Sequence, residues 1–157
     1  MIKVNVQLRQ MKESDLVSVY ELVRNTIQVS YNEVYPVEAI EFFKNYHRKD
    51  FILQDAVEGY TIIGESDHEI IATGTLTGTN IRRVFVHPNH QHIGIGKLVV
   101  KQLEQKAAIN KLSTLDLSSS LVSRRFWESV GFNFLRENYI PVSNEKKLIF
   151  YEMLKTL

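Results

Sequence analysis

Residues 84–97, Val-Phe-Val-His-Pro-Asn-His-Gln-His-Ile-Gly-Ile-Gly-Lys, constrain the fold more than any other stretch of the chain. Val84, Phe85 and Val86 are β-formers in an unbroken apolar run, the pattern of a strand covered on both faces. Pro88 has no N–H to give to a sheet ladder, so the strand stops before it. Gly94 and Gly96 then flank Ile95, and the residues after them recur at helical spacing. A helix N-terminus offers free N–H groups and a partial positive charge, and glycines let a ligand come close to the main chain. The loop is therefore a candidate pyrophosphate cradle.

Three phosphate-binding patterns compete for it. A Walker A loop requires Gly, four residues, then Gly-Lys-Ser/Thr; here Gln91 stands at the first Gly and Leu98 follows Lys97. A dinucleotide fingerprint requires a third glycine where this chain has Val99. The third pattern, Gln/Arg-x-x-Gly-x-Gly/Ala directly after a strand ending Val-x-Pro, is filled by Gln91, Gly94 and Gly96. On these residues the segment resembles the coenzyme A loop of the GNAT superfamily of acyl-CoA-dependent N-acetyltransferases. A second segment, Phe126-Trp127-Glu128-Ser129-Val130-Gly131-Phe132, resembles that family's Phe-Tyr-Glu-x-x-Gly-Phe motif.

The rest of the chain is read for organisation. At 157 residues, 44% apolar and 24% charged, it is expected to be a single domain over 1–157 with a real core. Lys+Arg 19 against Asp+Glu 18 leaves no field to attract nucleic acid or an anionic membrane, so neither is expected as a partner. The absence of cysteine excludes a thiolate nucleophile and a disulfide framework. Met1-Ile2-Lys3-Val4-Asn5 lacks the apolar core of a signal peptide, and the expected location is cytoplasmic.

Period-2 alternation predicts a strand at 4–9, and Ser14 or Asp15 is placed to cap a helix carrying Leu16, Val19, Tyr20, Leu22, Val23 and Ile27 inward. Pro36 suits the first turn of a helix over 37–46, with Ile40, Phe43 and Tyr46 facing the core. Strands are predicted at 60–64, 70–76, 81–86, 115–117, 132–140 and 148–154, joined by turns at 65–68, 77–80 and 143–145. A helix over 94–109 buries Ile95, Leu98, Val99, Leu103 and Ala107, and a short one over 124–130 is stopped by Gly131. About seven strands and four helices, with a central β–α–β crossover carrying the loop, make a mixed α/β sheet. That order is similar to the GNAT fold across nearly the whole chain.

The resemblance implies the site. Acetyl-CoA would be the co-substrate, with no metal, held by Val84, Phe85 and Val86 and by Gln91, His92, Ile93, Gly94, Ile95, Gly96 and Lys97. Ser119, Ser120, Arg124 and Trp127 would complete the coenzyme site, Arg124 near the phosphates. The Val86 N–H would polarise the thioester carbonyl. Two departures stand out: Trp127 occupies the position of the Tyr often assigned to protonate the leaving thiolate, and Ser120 that of an Asn. Indole donates a hydrogen bond but is no proton source at neutral pH. No carboxylate opens the strand before the loop, which starts Ile81-Arg82-Arg83, so the base is unassigned; Tyr31, Glu33 and Tyr35 are the candidates, with plain packing the alternative for the aromatics. Alternation would send Arg82 and Arg83 to opposite faces, one of them toward an acidic acceptor. His87, His90 and His92 lie in the loop itself, without a nearby acid to complete a metal set. The implied activity is acetyl transfer to an amine by direct attack in a ternary complex, with small-molecule, antibiotic, polyamine and peptide N-terminal acceptors all open. The alternative is a GNAT-fold protein that holds acyl-CoA without turnover. Relatives are often dimers, so a homodimer is compatible with the resemblance.

Overall fold

The computed structural model describes residues 5–157. The strand expected from Val4 therefore begins outside the described residues, as does most of the amino-terminal segment; β1 is observed at Gln7–Gln10. After a 3₁₀ turn, Glu13–Asp15, come α1 (Leu16–Tyr31), α2 (Val37–Tyr46) and α3 (Lys49–Glu58). The middle of the chain forms β2 (Tyr60–Ser66), β3 (Glu69–Thr77) and β4 (Asn80–Val86). Then follow α4 (Ile95–Ile109), β5 (Thr114–Ser119), α5 (Arg124–Ser129), β6 (Asn133–Pro141) and β7 (Lys147–Thr156). The strands make one mixed sheet in the order β1-β2-β3-β4-β5-β7-β6, antiparallel everywhere except between β4 and β5. No described helix is long and apolar enough to cross a membrane.

Strand alternation divides the core into two layers. Ile62 joins the cluster under α4 and α5, with Val99, Leu103 and Trp127, whereas its neighbour Ile63 joins the cluster under α1–α3, with Val23, Ile27 and Ile52. Several turns use left-handed backbone; among them Asp67 and His68 (φ 49° and 65°) close the β2–β3 hairpin, and Gly131 (φ 98°) ends the turn after α5.

Three expectations are corrected. The described residues form five α-helices rather than four, because α3 carries no apolar stripe in the sequence: only Ile52 of its residues is buried. Tyr46 is 46% exposed at the end of α2. In α4 the buried stripe includes Val100 and leaves Leu98 exposed.

Candidate active site

β4 carries the irregularity that shapes the site. Its register with β3 shifts between Thr73 and Thr75, and Arg83 sits in the left-handed region at φ 54°. This is a β-bulge, with two β4 residues set against Gly74. A Cβ on Gly74 would lie 2.6 Å from Val99 Cγ1 and 3.3 Å from Val84 Cγ2, so only glycine admits both the bulge and α4. The bulge cancels one step of alternation. Arg82 and Arg83 consequently reach the same partner, Asp55 on α3, instead of pointing to opposite faces.

β4 then diverges from β5: Asn80 and Asp116 are their one registered pair. The wedge between them holds two cavities that share Tyr31, Val84, Phe85, Ser123 and Trp127.

The larger is a cleft of about 700 Å³ running to the start of α4. Gly94 (φ 94°) starts that helix, and His92 (φ 65°) is exposed in the loop before it. Gln91 Nε2 donates to Val86 O at 2.9 Å and pins the loop to the strand. His87 N–H donates to Ile71 O on β3, so alternation directs the Val86 N–H the other way, into the wedge. Gly96 lets the Phe126 ring pack close on the loop: a Cβ there would stand 2.9 Å from Phe126 Cε1, and the ring would have to shift. Gln91, His92, Gly94, Gly96, Lys97 and Trp127 line the cleft; Ile93 and Ile95 turn into the core beneath it. Ser119 is fully buried and donates to Ser120 O, while Ser120 and Ser123 hydrogen-bond to each other at 2.9 Å; of these serines only Ser123 lines the cleft. Arg124 is turned away, with its guanidinium 4.2 Å over the Phe134 ring and paired with Glu128. The arginine that lines the cleft is Arg125, one residue on.

The smaller cavity, about 320 Å³, lies under α1 and α2. Its walls are aromatic, with Tyr31, Phe42, Phe43, Tyr46, Phe85, Trp127 and Phe150, and no Asp or Glu lines it among the described residues. Burial raises the Tyr31 phenol above its ordinary value, which keeps it protonated. Tyr35 is a tie across the fold: its hydroxyl donates to Ile149 O and accepts from Leu121 N–H, both at 2.8 Å. Glu33 is exposed and lines neither cavity. At the floor, His47 Nδ1 lies 3.0 Å from Arg83 Nη1, and burial beside that guanidinium pushes the imidazole down to about 3. His47 is therefore neutral and accepts from Arg83. Neither His47 nor Asp55 was singled out by the sequence, because α3 and the bulge that brings them to Arg83 leave no periodic signal. His87 and His90 stack edge-on at 5.5 Å, and among the described residues no three His, Asp or Glu side chains converge on a metal-sized site.

The family model for the acetyltransferase (GNAT) domain matches residues 28–157. The chain belongs to the GNAT acetyltransferase family. No curated protein matches it in sequence. Its fold is similar to that of a GCN5-related N-acetyltransferase from Rhodopseudomonas palustris, at TM-score 0.90 and 19% identity over 100% of this chain and 99% of that one. It is also similar to the PaiA N-acetyltransferase of Thermoplasma acidophilum, a complex with coenzyme A, at TM-score 0.76 and 17% identity over 98% and 99% of the two chains. Salmonella typhimurium yncA, with its cofactor acetyl-CoA, aligns at TM-score 0.68 and 14% identity over 98% and 94%. This GNAT chain thus has the mixed sheet of the structures it resembles, and in it β4 and β5 part after one registered pair.

Proposed function

We propose that the chain, as one acetyltransferase domain over 1–157, transfers an acetyl group from acetyl-CoA to a primary amine by direct attack in a ternary complex. The observation that carries this reading is the meeting of two cavities at Val84 and Phe85, beside a Val86 N–H that faces the wedge. The residues fit the coenzyme. The 15-residue α4 presents its N-terminus to the larger cleft, Lys97 and Arg125 line it for phosphates, and Phe126 and Trp127 give it an apolar flank. Bound acetyl-CoA supplies an acyl thioester and a thiolate able to leave at neutral pH, near a thiol pKa of ~8.5. The Val86 N–H would donate to the thioester oxygen of the bound coenzyme, and Gln91 holds that strand end through Val86 O.

The acceptor amine would enter through the smaller cavity. No carboxylate faces it, and His47 is held neutral with its Nδ1 occupied, so no side chain there is set up as a base. Desolvation by the aromatic walls favours the uncharged, nucleophilic form of the amine instead. A cytoplasmic location fits a cysteine-free chain that uses acetyl-CoA.

Thermal unfolding with acetyl-CoA, coenzyme A, ATP and NAD tests the cofactor. At ~100-fold saturation, acetyl-CoA should add ~2.7 kcal/mol of stability, and ATP and NAD should add none. Thiol release with an amine panel then tests turnover. Trp127, in place of a phenol, favours the second reading, an acyl-CoA-binding protein without turnover. Stabilisation by acetyl-CoA with no thiol release from any amine would select it.

A further inference from the structure

The floor of the smaller cavity holds charge that the fold does not neutralise. Arg82 and Arg83 share the single carboxylate of Asp55, and His47 beside them is neutral, so one positive charge is left over. Arg83 is 6% exposed, and its Nε has no hydrogen-bond partner. A buried guanidinium N–H without an acceptor is costly, and desolvation pulls this group down from 12.5 to about 10. Placing such a side chain on a left-handed bulge residue adds backbone strain to that cost. Structural anchoring of α3 would need only one arginine opposite Asp55. The remainder of the lining is mostly aromatic and aliphatic; its polar members, Asn80, Ser118, Ser120 and Ser123, are neutral, and no acid is there to attract a second amine or a polycation.

Resting on the function proposed above, we infer that the acceptor is an amine bearing a carboxylate and an apolar, aromatic-sized body, its carboxylate received by Arg83 and Arg82. The planar fork of a guanidinium matches a carboxylate in two parallel hydrogen bonds, and the surplus charge is then matched one to one. Aromatic amino acids have this chemistry. Polyamines, with several positive charges and no acid, are rejected by the same floor.

The experiment compares aromatic amines with and without the acid, and a polyamine beside them. With saturating acetyl-CoA, thiol release is followed for phenylalanine, phenylalanine amide, 2-phenylethylamine and spermidine. Phenylalanine should exceed the amide and 2-phenylethylamine in kcat/KM by on the order of 10–100-fold, and spermidine should be inert. A binding readout runs beside it: 3-phenylpropionate, which has no amine, should raise the Tm of the protein, and 2-phenylethylamine should not. In Arg83→Gln, which removes the surplus charge and leaves Arg82 paired with Asp55, the preference for phenylalanine and the protection by 3-phenylpropionate should both disappear. Arg82→Gln should weaken both in part. Should Arg83→Gln fail to fold, the wild-type comparison and Arg82→Gln still decide. Equal or better turnover of 2-phenylethylamine or spermidine, with acetyl-CoA still stabilising the protein, would overturn the carboxylate assignment and leave the acetyltransferase reading intact. Absence of any shift with acetyl-CoA would instead overturn both.

Discussion

His47 shows how one side chain can be fixed by its surroundings rather than by its own chemistry. It is buried, edge-on to Tyr46 and Phe85 at 5.0 and 5.4 Å, and accepts from Arg83. Its folded value, lowered from 6.5 to about 3, sets a sign for stability. Below pH 6.5 the unfolded chain binds a proton at this imidazole that the folded chain refuses. Stability is therefore full above that pH and declines as pH falls toward about 3, by up to ~1.4 kcal/mol per unit. Asp15 acts lower down: Arg9 holds its carboxylate below the ordinary 3.8, so its contribution is lost only under that pH. Urea unfolding between pH 7 and pH 4.5 should show the His47 slope, and His47→Asn should flatten it. An unchanged slope in the variant would move the titration to another group.

At the scale of elements, α3 is where sequence and structure part, and it is a stringently fitted piece. A Cβ on Gly59, which ends it, would lie 2.6 Å from Thr77 Oγ1 and 2.7 Å from the Leu76 carbonyl oxygen. The carbonyl belongs to a paired strand and cannot yield. Gly59→Ala should therefore cost about 2 kcal/mol, or roughly 4–8 °C in Tm, and a thermal scan within 1 °C of wild type (on the order of experimental error) would show that α3 docks more loosely. The elements with a continuous apolar stripe, α1, α2 and α4, were legible, as were the strands bounded by turn residues. α3 was not, because Ile52 alone is buried and its hold on the sheet comes from Asp55, a charge pair that periodicity does not register. The coenzyme loop was legible because Gln91, Gly94 and Gly96 are local in sequence. Arg125 rather than Arg124 lines the cleft because a six-residue helix gives too few turns to fix its phase. The bulge was hidden because its cause, the close approach of Val99 and Val84 at Gly74, is three-dimensional. Tyr35 reads as a site residue in the chain but ties two backbone groups in the fold.

In the whole molecule, the wedge that makes both cavities also weakens the sheet, which joins its two halves through one registered pair, Asn80 and Asp116. β5 is bound on its other edge along its full length, Thr114 opposite Thr156 to Ser119 opposite Tyr151, so the C-terminal half-sheet is internally firm. The clasp is Asp116. Its Oδ1 accepts from Asn80 Nδ2 at 2.8 Å, its Oδ2 from Thr79 Oγ1 at 2.6 Å, and its N–H donates to Thr79 O at 2.9 Å. Removing the carboxylate ends two charge-assisted hydrogen bonds near the apex of the wedge, one from the half-buried Asn80 amide and one from the exposed Thr79 hydroxyl, which turns to water, at a cost of ~1 kcal/mol. Asp116→Ala should lower the urea midpoint accordingly and speed amide hydrogen exchange in β4 and β5 more than in β6 and β7. Asp116→Asn should lose less than half as much, since its amide can accept from Asn80 and donate to Thr79 Oγ1. The Tyr35 tie and the apolar layers under α4 and α5 also span the gap. If Asp116→Ala has the midpoint and exchange pattern of wild type, those contacts hold the halves together and the clasp only sets the register of Asn80.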